Sequence, residues 1–510
     1  MKKRITAGIL AALMVLLAAC SGQSGKEQPA AAQKADTENA SSETLEETGA
    51  SLQEDAGEVT ENEAEEVAPR LQPEWTKDAV IYEVNIRQYT EEGTFAAFAE
   101  HLQTLKDMGI TTLWLMPIHP ISETNRKGTL GSYYSISDYR EVNPEFGTKE
   151  DFAALVEQAH ALGMKVMLDW VANHTGWDCA WITEHPDWYT KDADGNIIWP
   201  QGTDWNDVAD LNYENQEMRA EMIDCMKYWV ENYDIDGFRC DYAGGVPTQF
   251  WEDARAALEE IKPMYMLAED NTTRNLLNQA FDFNYNWNLY EILLSVATGK
   301  RKASGIAETI PDPLSQKVSA RYPDGTYTLN FLDNHDKNSW DRTIREAFEP
   351  DILPAMFSLI YTIPGAPLLY TGDEIALDHA LAFMEKDAVD WENSEYDYRP
   401  LLAELGAIRK NYPALYCGNY GGGINYCDVG NKSVLAFYRE KDGSLVKCIF
   451  NLSPEEQAFD ASTVVDGSET VLLHGYSATD LFFEDHAVSE ENLSGEVTAN
   501  PGEFWILSAN

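Results

Sequence analysis

The fold is decided by residues 149–174, which read KEDFAALVEQAHALGMKVMLDWVANH. In the first half, Lys149–Leu162, apolar residues recur at helical spacing. The second half, Lys165–Val171, is a short apolar run of the kind that forms a buried strand. A helix that leads directly into a buried strand is the repeating unit of an α/β protein with a parallel sheet.

The same unit recurs on both sides of this stretch. The apolar runs that we predict as strands are Ala79–Arg87, Thr111–Met116, Lys165–Val171, Ile235–Asp241, Met264–Glu269, Ala280–Tyr285, Tyr327–Leu332 and Ala366–Thr371. The helical patterns between them include Thr94–Met108, Lys149–Leu162, Asn215–Asn232 and Gln249–Ile261. Eight such units that close on themselves form a (β/α)8 TIM barrel, which we predict for residues 74–414. An open doubly wound sheet is the alternative, but the glycine-rich phosphate loop expected of it is absent from the sequence.

Two segments interrupt or follow this alternation. A long connection, residues 172–214, separates the third strand from the next helix, and a connection of this length normally forms a functional loop or a small subdomain. Its tryptophans either stack on a ligand or hold the insertion together; they are Trp177, Trp181, Trp188, Trp199 and Trp205. In residues 415–510, short alternating segments such as Ser433–Arg439 predict an all-β sandwich domain.

The N-terminus has the layout of an export signal over residues 1–20. Three basic residues precede an apolar run, Ile9–Leu17, that is short for a bilayer span. The sequence Leu17-Ala18-Ala19-Cys20 resembles a bacterial lipoprotein signal, which implies cleavage before Cys20 and lipidation of its thiol. We therefore expect an extracytoplasmic protein with a lipid anchor in the bacterial membrane. An ordinary signal peptide that contains a cysteine is the alternative.

Residues 21–73 are rich in Glu, Ala, Ser, Gln and Thr and almost lack aromatic side chains. Such a segment cannot bury enough apolar surface to offset the entropy of ordering, so we predict a disordered acidic linker. It serves either as a stalk or as a segment that recruits a partner. The formal net charge of the 510 residues is -49, and a surface this acidic repels nucleic acid and anionic lipid headgroups.

Acidic residues stand at the ends of four predicted strands. They are Asp169, Asp241, Glu269 and Asp336. Because the carboxyl ends of barrel strands share one rim, these side chains are expected to converge there. One aspartate after a strand often caps the next helix. Four such acids, with Arg239 and two histidines beside them, indicate a catalytic site instead.

Converging carboxylates suit the cleavage of glycosidic bonds. One must ionise and attack the anomeric carbon, and another must keep a proton for the leaving oxygen. Arg239 lies two residues before Asp241 on an extended strand, so both side chains point to the same face and the cation is expected to keep Asp241 ionised. Glu269, surrounded by other acids, is expected to be pushed toward its protonated form.

Four blocks resemble the signature regions of the α-amylase family of glycoside hydrolases (family 13), of the maltodextrin-acting type. These blocks are Asp169–His174, Gly237–Asp241, Leu267–Glu269 and Phe331–Asp336. Three more blocks are similar to the family's fifth region, to its stacking-tyrosine segment and to the block after its last strand, and they are Asp207–Asn212, Gly131–Tyr139 and Gly372–Glu374. The resemblance covers roughly residues 78–413. It implies that residues 172–214 are the family's domain B and that the β domain is its domain C.

The resemblance also implies a role for each matching residue. Asp241 is the nucleophile, Glu269 is the general acid and then the base, and Asp336 stabilises the transition state. The residues implied to bind the sugar or support the site are Tyr134, Asp169, His174, Arg239 and His335. Two displacements give retention, for which the carboxyl groups of Asp241 and Glu269 stand about 5–5.5 Å apart.

Metal sites receive little support from the sequence. The seven cysteines contain no CxxC pair, which argues against zinc, and a Cys417–Cys427 bridge is left open. Asn173 and Asp210 match two calcium ligands of α-amylases, but they form a weak cage for a cation that takes six to eight oxygens. Asp192–Asn196 fits either a calcium loop or a surface turn. We expect no required cofactor and keep Asn173 and Asp210 as calcium candidates.

One departure from the family pattern concerns the leaving side of the site. Endo-acting α-amylases place Lys-His three and four residues after the nucleophile, where this chain has Gly244 and Gly245. The favoured hypothesis is hydrolysis of α-1,4 bonds in starch-derived maltodextrins at the cell surface. The alternatives are an α-glucosidase or 4-α-glucanotransferase on the same fold, a non-catalytic glucan-binding lipoprotein, and a purely structural barrel. Because binding alone does not need Asp241, Glu269 and Asp336 together, the non-catalytic alternatives are disfavoured.

Overall fold

A closed barrel of eight parallel strands carries an insertion after its third strand and is followed by antiparallel sheets. The computed structural model describes residues 72–273, 275–310, 322–475, 481–482, 486–487 and 493–509. The predicted signal segment with Cys20 and the predicted linker up to residue 71 lie outside these described residues. Within them, no helix is both long and apolar enough to cross a lipid bilayer.

The strands and helices are numbered in chain order. The strands are β1 (Ile81–Val84), β2 (Thr112–Leu115), β3 (Lys165–Val171), β4 (His174–Gly176), β5 (Val208–Asp210), β6 (Gly237–Asp241), β7 (Tyr265–Ala268), β8 (Phe283–Tyr285), β9 (Tyr327–Phe331), β10 (Ala366–Tyr370), β11 (Ile424–Tyr426), β12 (Val434–Lys441), β13 (Ser444–Asn451), β14 (Gln457–Asp460), β15 (Thr470–Gly475), β16 (Leu481–Phe482), β17 (His486–Ala487), β18 (Glu496–Ala499) and β19 (Phe504–Ala509). The helices are α1 (Ile86–Tyr89), α2 (Phe95–Ala99), α3 (Leu102–Asp107), α4 (Lys149–Ala161), α5 (Trp181–Glu184), α6 (Gln216–Tyr233), α7 (Thr248–Glu259), α8 (Leu276–Gln279), α9 (Trp287–Ala297), α10 (Ile344–Ala347), α11 (Leu353–Thr362) and α12 (Arg399–Asn411).

The barrel strands pair in the order β1-β10-β9-β8-β7-β6-β3-β2, and β2 returns to β1. The predicted TIM barrel is therefore confirmed, and each predicted apolar run contains one of its strands. The runs are continuous rather than alternating because a barrel strand is covered on both faces, by helices outside and by side chains in the interior. All four residues of β1 and of β2 are buried, for example.

Helix α4, from the stretch with which the sequence analysis began, starts with a capping box. The Thr148 side chain accepts a hydrogen bond from the amide of Asp151, whose carboxylate accepts one from the amide of Thr148. The predicted helix Thr94–Met108 is wrong in one respect, because it is divided into α2 and α3. The division falls at His101, which has φ -96° and ψ -4° and packs its ring edge-on against Tyr89.

The C-terminal region consists of antiparallel sheets, as predicted. The larger sheet has the order β11-β12-β13-β19-β15-β16, with β17 also on β15, and the smaller sheet pairs β14 with β18. Alternate residues of the larger sheet face opposite ways: Cys448 packs in the core shared with the barrel, while Ile449 packs in a second core that includes Phe459 of the smaller sheet. The second half of β13 is therefore buried on both faces.

Two buried arginines tie the end of the barrel to this region. Arg409 donates to the carbonyl oxygens of Ala79, Tyr361 and Gly365 and contacts the Cys417 sulfur at 2.9 Å. Cys417 is a free thiol, as are the other cysteines in the described ranges, so the Cys417–Cys427 bridge that the sequence left open is not formed. The carbonyl oxygens that accept from Arg439, on β12, belong to Thr362, Leu415, Tyr416 and Gly422.

Replacement of Arg439 is expected to destabilise the junction. Arg439→Ala leaves buried carbonyl oxygens without a donor and should lower the free energy of unfolding by about 3 kcal/mol, measured by urea unfolding. Arg301→Ala is the control, because Arg301 forms a surface ion pair with Glu308 and its loss should cost less than about 1 kcal/mol. Equal effects of the two substitutions would contradict the role given to Arg439.

Candidate active site

A cavity of 560 Å³ opens at the carboxyl rim of the barrel. Six of the predicted site residues line it, and they are Tyr134, His174, Asp241, Glu269, His335 and Asp336. Asp169 and Arg239 lie buried and contact this group from within the barrel. Residues far apart in the chain meet here because β3, β6, β7 and β9 end at the same rim.

Arg239 joins three of the acidic residues. Its Nη1 atom lies 2.9 Å from Asp169 Oδ1 and 3.0 Å from Asp241 Oδ1, and its Nη2 atom lies 3.0 Å from Glu269 Oε2. The side chain is only 1% exposed, so the guanidinium is compensated by these carboxylates rather than by water. Its Nε atom donates to the hydroxyl of Tyr285 at 3.2 Å. One cation therefore holds the two proposed reacting carboxylates at fixed positions.

The two reacting carboxyl groups differ in proton affinity. Burial raises the pKa of Asp241 to about 6, although Arg239 opposes the rise. Burial raises the pKa of Glu269 to about 7, again against Arg239 and with a further contribution from Asp241 and Asp336. Near neutral pH, Asp241 is thus the group that ionises more completely, and Glu269 is the group that more often keeps its proton.

The two histidines of the cavity differ in charge. Burial lowers the pKa of His174 to about 4, so its ring is neutral at neutral pH. Burial would also lower the pKa of His335, but the carboxylates of Asp336 and Glu83 outweigh it and raise the pKa to about 9. The His335 ring bonds Glu83 through Nδ1 and lies 2.9 Å from the Tyr134 hydroxyl through Nε2.

Glu83 was not predicted from the sequence. It lies in the middle of β1, fully buried, beneath His335. A charged side chain inside an apolar strand is a signal that could have identified it, because buried carboxylates are rare unless they are paired. The identity of its partner could not be read from the sequence, since His335 lies 252 residues further along the chain.

Tyr242, directly after Asp241, has an unusual backbone. Its φ of 43° and ψ of 44° are left-handed, and its amide donates to Glu269 Oε2 at 2.7 Å. Its ring is 44% exposed and meets Trp205 edge-on, with the ring centroids 5.5 Å apart. A Cβ atom on Gly245 would lie 2.1 Å from the Tyr242 ring. Glycine at this departure from the family pattern therefore leaves the space that the tyrosine occupies.

The tryptophans of the insertion divide between the two roles that the sequence left open. Trp205 lines the cavity, whereas Trp188 is buried and Trp181 stacks on Tyr139. Trp177 donates to the carbonyl oxygen of Asn206 and so closes the insertion on itself. Trp199 is 46% exposed and does not line the cavity.

The two calcium candidates flank His174. Asn173 is buried beside His174, and β4 pairs His174 with Asp210, whose pKa is raised by burial. Among the described residues, no group of three or more His, Cys, Asp or Glu side chains is arranged to hold a metal ion. In Asp192–Asn196, the first carboxylate accepts the amides of Asp194 and Asn196, which is the geometry of a turn. Calcium binding at Asn173 and Asp210 therefore stays a prediction from the sequence.

The barrel and the carboxyl groups that converge at its rim define the class of protein: a TIM barrel with the kind of acidic site that cleaves glycosidic bonds. The model of the alpha-amylase catalytic domain matches residues 60–399, and the chain belongs to the alpha-amylase family.

Several known proteins resemble the chain over most of its length. It is 28% identical to an alpha-amylase of Haloarcula japonica over 78% of the chain, but it spans only 59% of that protein. It is 25% identical to a maltogenic alpha-amylase of Bacillus acidopullulyticus, covering 85% of the chain and 78% of the relative. Among solved structures, an alpha-amylase from Lactobacillus plantarum is 30% identical with a TM-score of 0.73, covering 86% of this chain and all of that one. A maltogenic alpha-amylase from Thermotoga neapolitana has the same identity and score and covers 85% and 99%.

Proposed function

We propose that this protein hydrolyses α-1,4-glucosidic bonds of maltodextrins by double displacement with retention of the anomeric configuration. The observation that carries the proposal is the contact of one buried guanidinium with Asp241 and Glu269 at the wall of a cavity that Asp336 also lines. Membership of the alpha-amylase family and the similarity to alpha-amylases and maltogenic alpha-amylases support α-glucans as the substrate class.

In the first displacement, Asp241 attacks the anomeric carbon while Glu269 gives its proton to the leaving glycosidic oxygen. Asp241 is suited to attack because Arg239 favours its ionised form and holds the carboxylate in place. Glu269 is suited to protonate because burial and the neighbouring acids favour its neutral form. Breaking the bond makes the sugar cationic, and the carboxylate of Asp336 stabilises this charge.

In the second displacement, Glu269 takes a proton from water, which attacks the glycosyl ester and releases Asp241. The amide of Tyr242, bonded to Glu269, keeps the carboxylate directed at the same position for both steps. The rings of His174 and His335 also line the cavity in which the sugar would lie, one neutral and one cationic. The ring of Tyr134 provides the flat surface beneath the sugar at the cleavage point.

A second candidate, transfer of the glycosyl group to another glucan, is favoured by the rings of Tyr242 and Trp205. These rings stand next to Glu269, where an acceptor sugar would replace water. The two functions differ in products: a time course with maltoheptaose gives only shorter fragments if water is the acceptor and also longer chains if sugar is the acceptor.

We also propose that the enzyme is held outside the cell by a lipid on Cys20. The support is the sequence alone, in which Leu17-Ala18-Ala19 precedes a single cysteine and an acidic segment follows. Diacylation supplies the two chains that stable anchoring needs. In a bacterial host, Cys20→Ala should move the protein from the detergent phase to the aqueous phase of a Triton X-114 extract. Cys427→Ala is the control, and a detergent-phase C20A protein would contradict the anchor.

Removal of the proton donor tests the mechanism directly. Glu269→Gln should lower kcat on maltoheptaose roughly 10²–10⁴-fold, because the amide cannot protonate the leaving oxygen. The loss should be much smaller for formation of the β-maltosyl ester on Asp241 from α-maltosyl fluoride, because fluoride leaves without a proton. Glu260→Gln, at an exposed glutamate, is the control. Unchanged release of reducing sugar by E269Q would refute the assignment of Glu269.

The pH profile of kcat/KM on maltoheptaose is expected to be a narrow bell centred between pH 6 and 7. Activity requires Asp241 ionised, so it falls as the pH drops below its pKa of about 6. It also requires Glu269 protonated, so it falls as the pH rises above its pKa of about 7. These limbs describe the coupled pair rather than isolated groups. A flat profile from pH 5 to 9 would contradict the proposed roles.

A further inference from the structure

A row of aromatic rings runs outward from Tyr134 along the wall of the cavity. The rings of Tyr134 and Phe383 are nearly parallel, with 9° between their planes and 6.2 Å between their centroids. The Trp340 ring follows, with its centroid 5.2 Å from that of Phe383. All three residues line the cavity, and Tyr134 is joined to the acids by the hydrogen bond that its hydroxyl donates to Asp169 Oδ2 at 3.1 Å.

Trp340 is more exposed than any other large hydrophobic residue in the described ranges, at 62%. An indole in water forgoes the stabilisation that burial of its apolar surface would give. The folded protein on its own gains little from a tryptophan in this position, and at the cavity wall the exposed ring is free to contact a bound molecule. Aromatic faces pack well against the apolar faces of sugar rings, and the cavity wall is where a sugar would lie.

The exposed position of Trp340 is built into the fold. The residue belongs to a π-helical turn, Lys337–Asp341, that directly follows Asp336, and such turns are frequent at functional sites. The turn is anchored from inside by Asn338, which is buried and accepts a hydrogen bond from the amide of Leu381 at 2.8 Å. Lys337 adds a second anchor, with its ammonium 4.5 Å from the centre of the Tyr290 ring.

The contacts of the rings indicate which side of the scissile bond each serves. Glu269, the proposed proton donor, is bonded to Tyr242, so Tyr242 and Trp205 flank the leaving group. Phe383 and Trp340 connect to Tyr134 instead, which supports the sugar that becomes attached to Asp241. The row therefore continues toward the non-reducing side of the bond that is cleaved.

We propose that Trp340, together with Phe383, binds the glucose residues that precede the cleaved one on its non-reducing side. This inference rests on the proposed function. It makes Trp340 a specificity-determining residue: the enzyme selects substrates that extend by two or more glucose units in that direction. Trp340 contributes binding and takes no part in the bond-making steps, so its effect depends on substrate length.

Glycosyl fluorides test this inference because fluoride is too small to occupy the leaving side. α-Glucosyl fluoride reaches only the cleavage point, whereas α-maltotriosyl fluoride extends over the proposed row. Trp340→Ala should lower kcat/KM for the maltotriosyl compound about tenfold, the value of a partly buried aromatic contact. It should change kcat/KM for the glucosyl compound less than about twofold, since that compound does not reach the row. Fluoride release measures both.

Two further variants control for structural damage. Trp340→Phe retains a ring and should recover most of the selectivity for the longer compound. Trp199→Ala removes an exposed tryptophan that does not line the cavity and should leave both rates unchanged. Equal losses with both fluorides, or no loss with either, in W340A would overturn the inference. A wild-type protein that releases fluoride from neither compound would instead overturn the proposed function.

Discussion

The structure of the site depends on one buried cation. Arg239 is enclosed by carboxylates, and neither side of this arrangement is stable alone: a guanidinium out of water needs anions, and acids brought together need a cation. The acids nevertheless outnumber the cation, so part of their charge is relieved by protonation. Burial is the larger cause, and it raises the pKa of Asp241 to about 6 and that of Glu269 to about 7. Burial and the crowding of the acids together thus favour Glu269 as the proton donor and Asp241 as the nucleophile.

Strand register turns this local balance into a precise geometry. In the parallel pairing of β3 with β6, Asp169 lies opposite Arg239 and Val171 lies opposite Asp241. The next pairing sets Cys240 opposite Ala268, so Glu269 follows at the rim, where its amide donates to the carbonyl oxygen of Cys240. A slip of one residue in either strand would turn the charged side chains to the opposite face. Such a slip would leave Arg239 buried without its carboxylate partners, so the buried ion pairs themselves favour the observed register.

The barrel strands and the rim acids can be predicted from the sequence because their signals are local. The surroundings of the acids cannot, because they depend on contacts between distant parts of the chain. The strands are continuous apolar runs, and four of them are followed or closed by an acid; both features are local, so Asp241 and Glu269 stand out without any knowledge of contacts. The partner of Glu83 is His335, which follows β9 and lies far away in the chain. The importance of Glu83 therefore appears only when the barrel closes. Trp340 looks like any tryptophan in the sequence; its exposure follows from a π-helical turn that no local pattern encodes. The division of Thr94–Met108 into two helices falls at His101, and no glycine or proline in that stretch marks it in the sequence.

The loops around the rim vary the surroundings of the site without altering its centre. Gly244 and Gly245 replace two side chains of the family pattern, and the vacated space is filled by Tyr242 on one side and Asp270 on the other. The left-handed backbone of Tyr242 costs on the order of 1–3 kcal/mol. The hydrogen bond from its amide to Glu269 and the preceding strand β6 hold the residue in this conformation. Strain of this kind is tolerated where the surrounding structure fixes the conformation. The left-handed backbone of Tyr242 thereby holds its exposed side chain beside Glu269, whereas the barrel strands hold the carboxylates themselves.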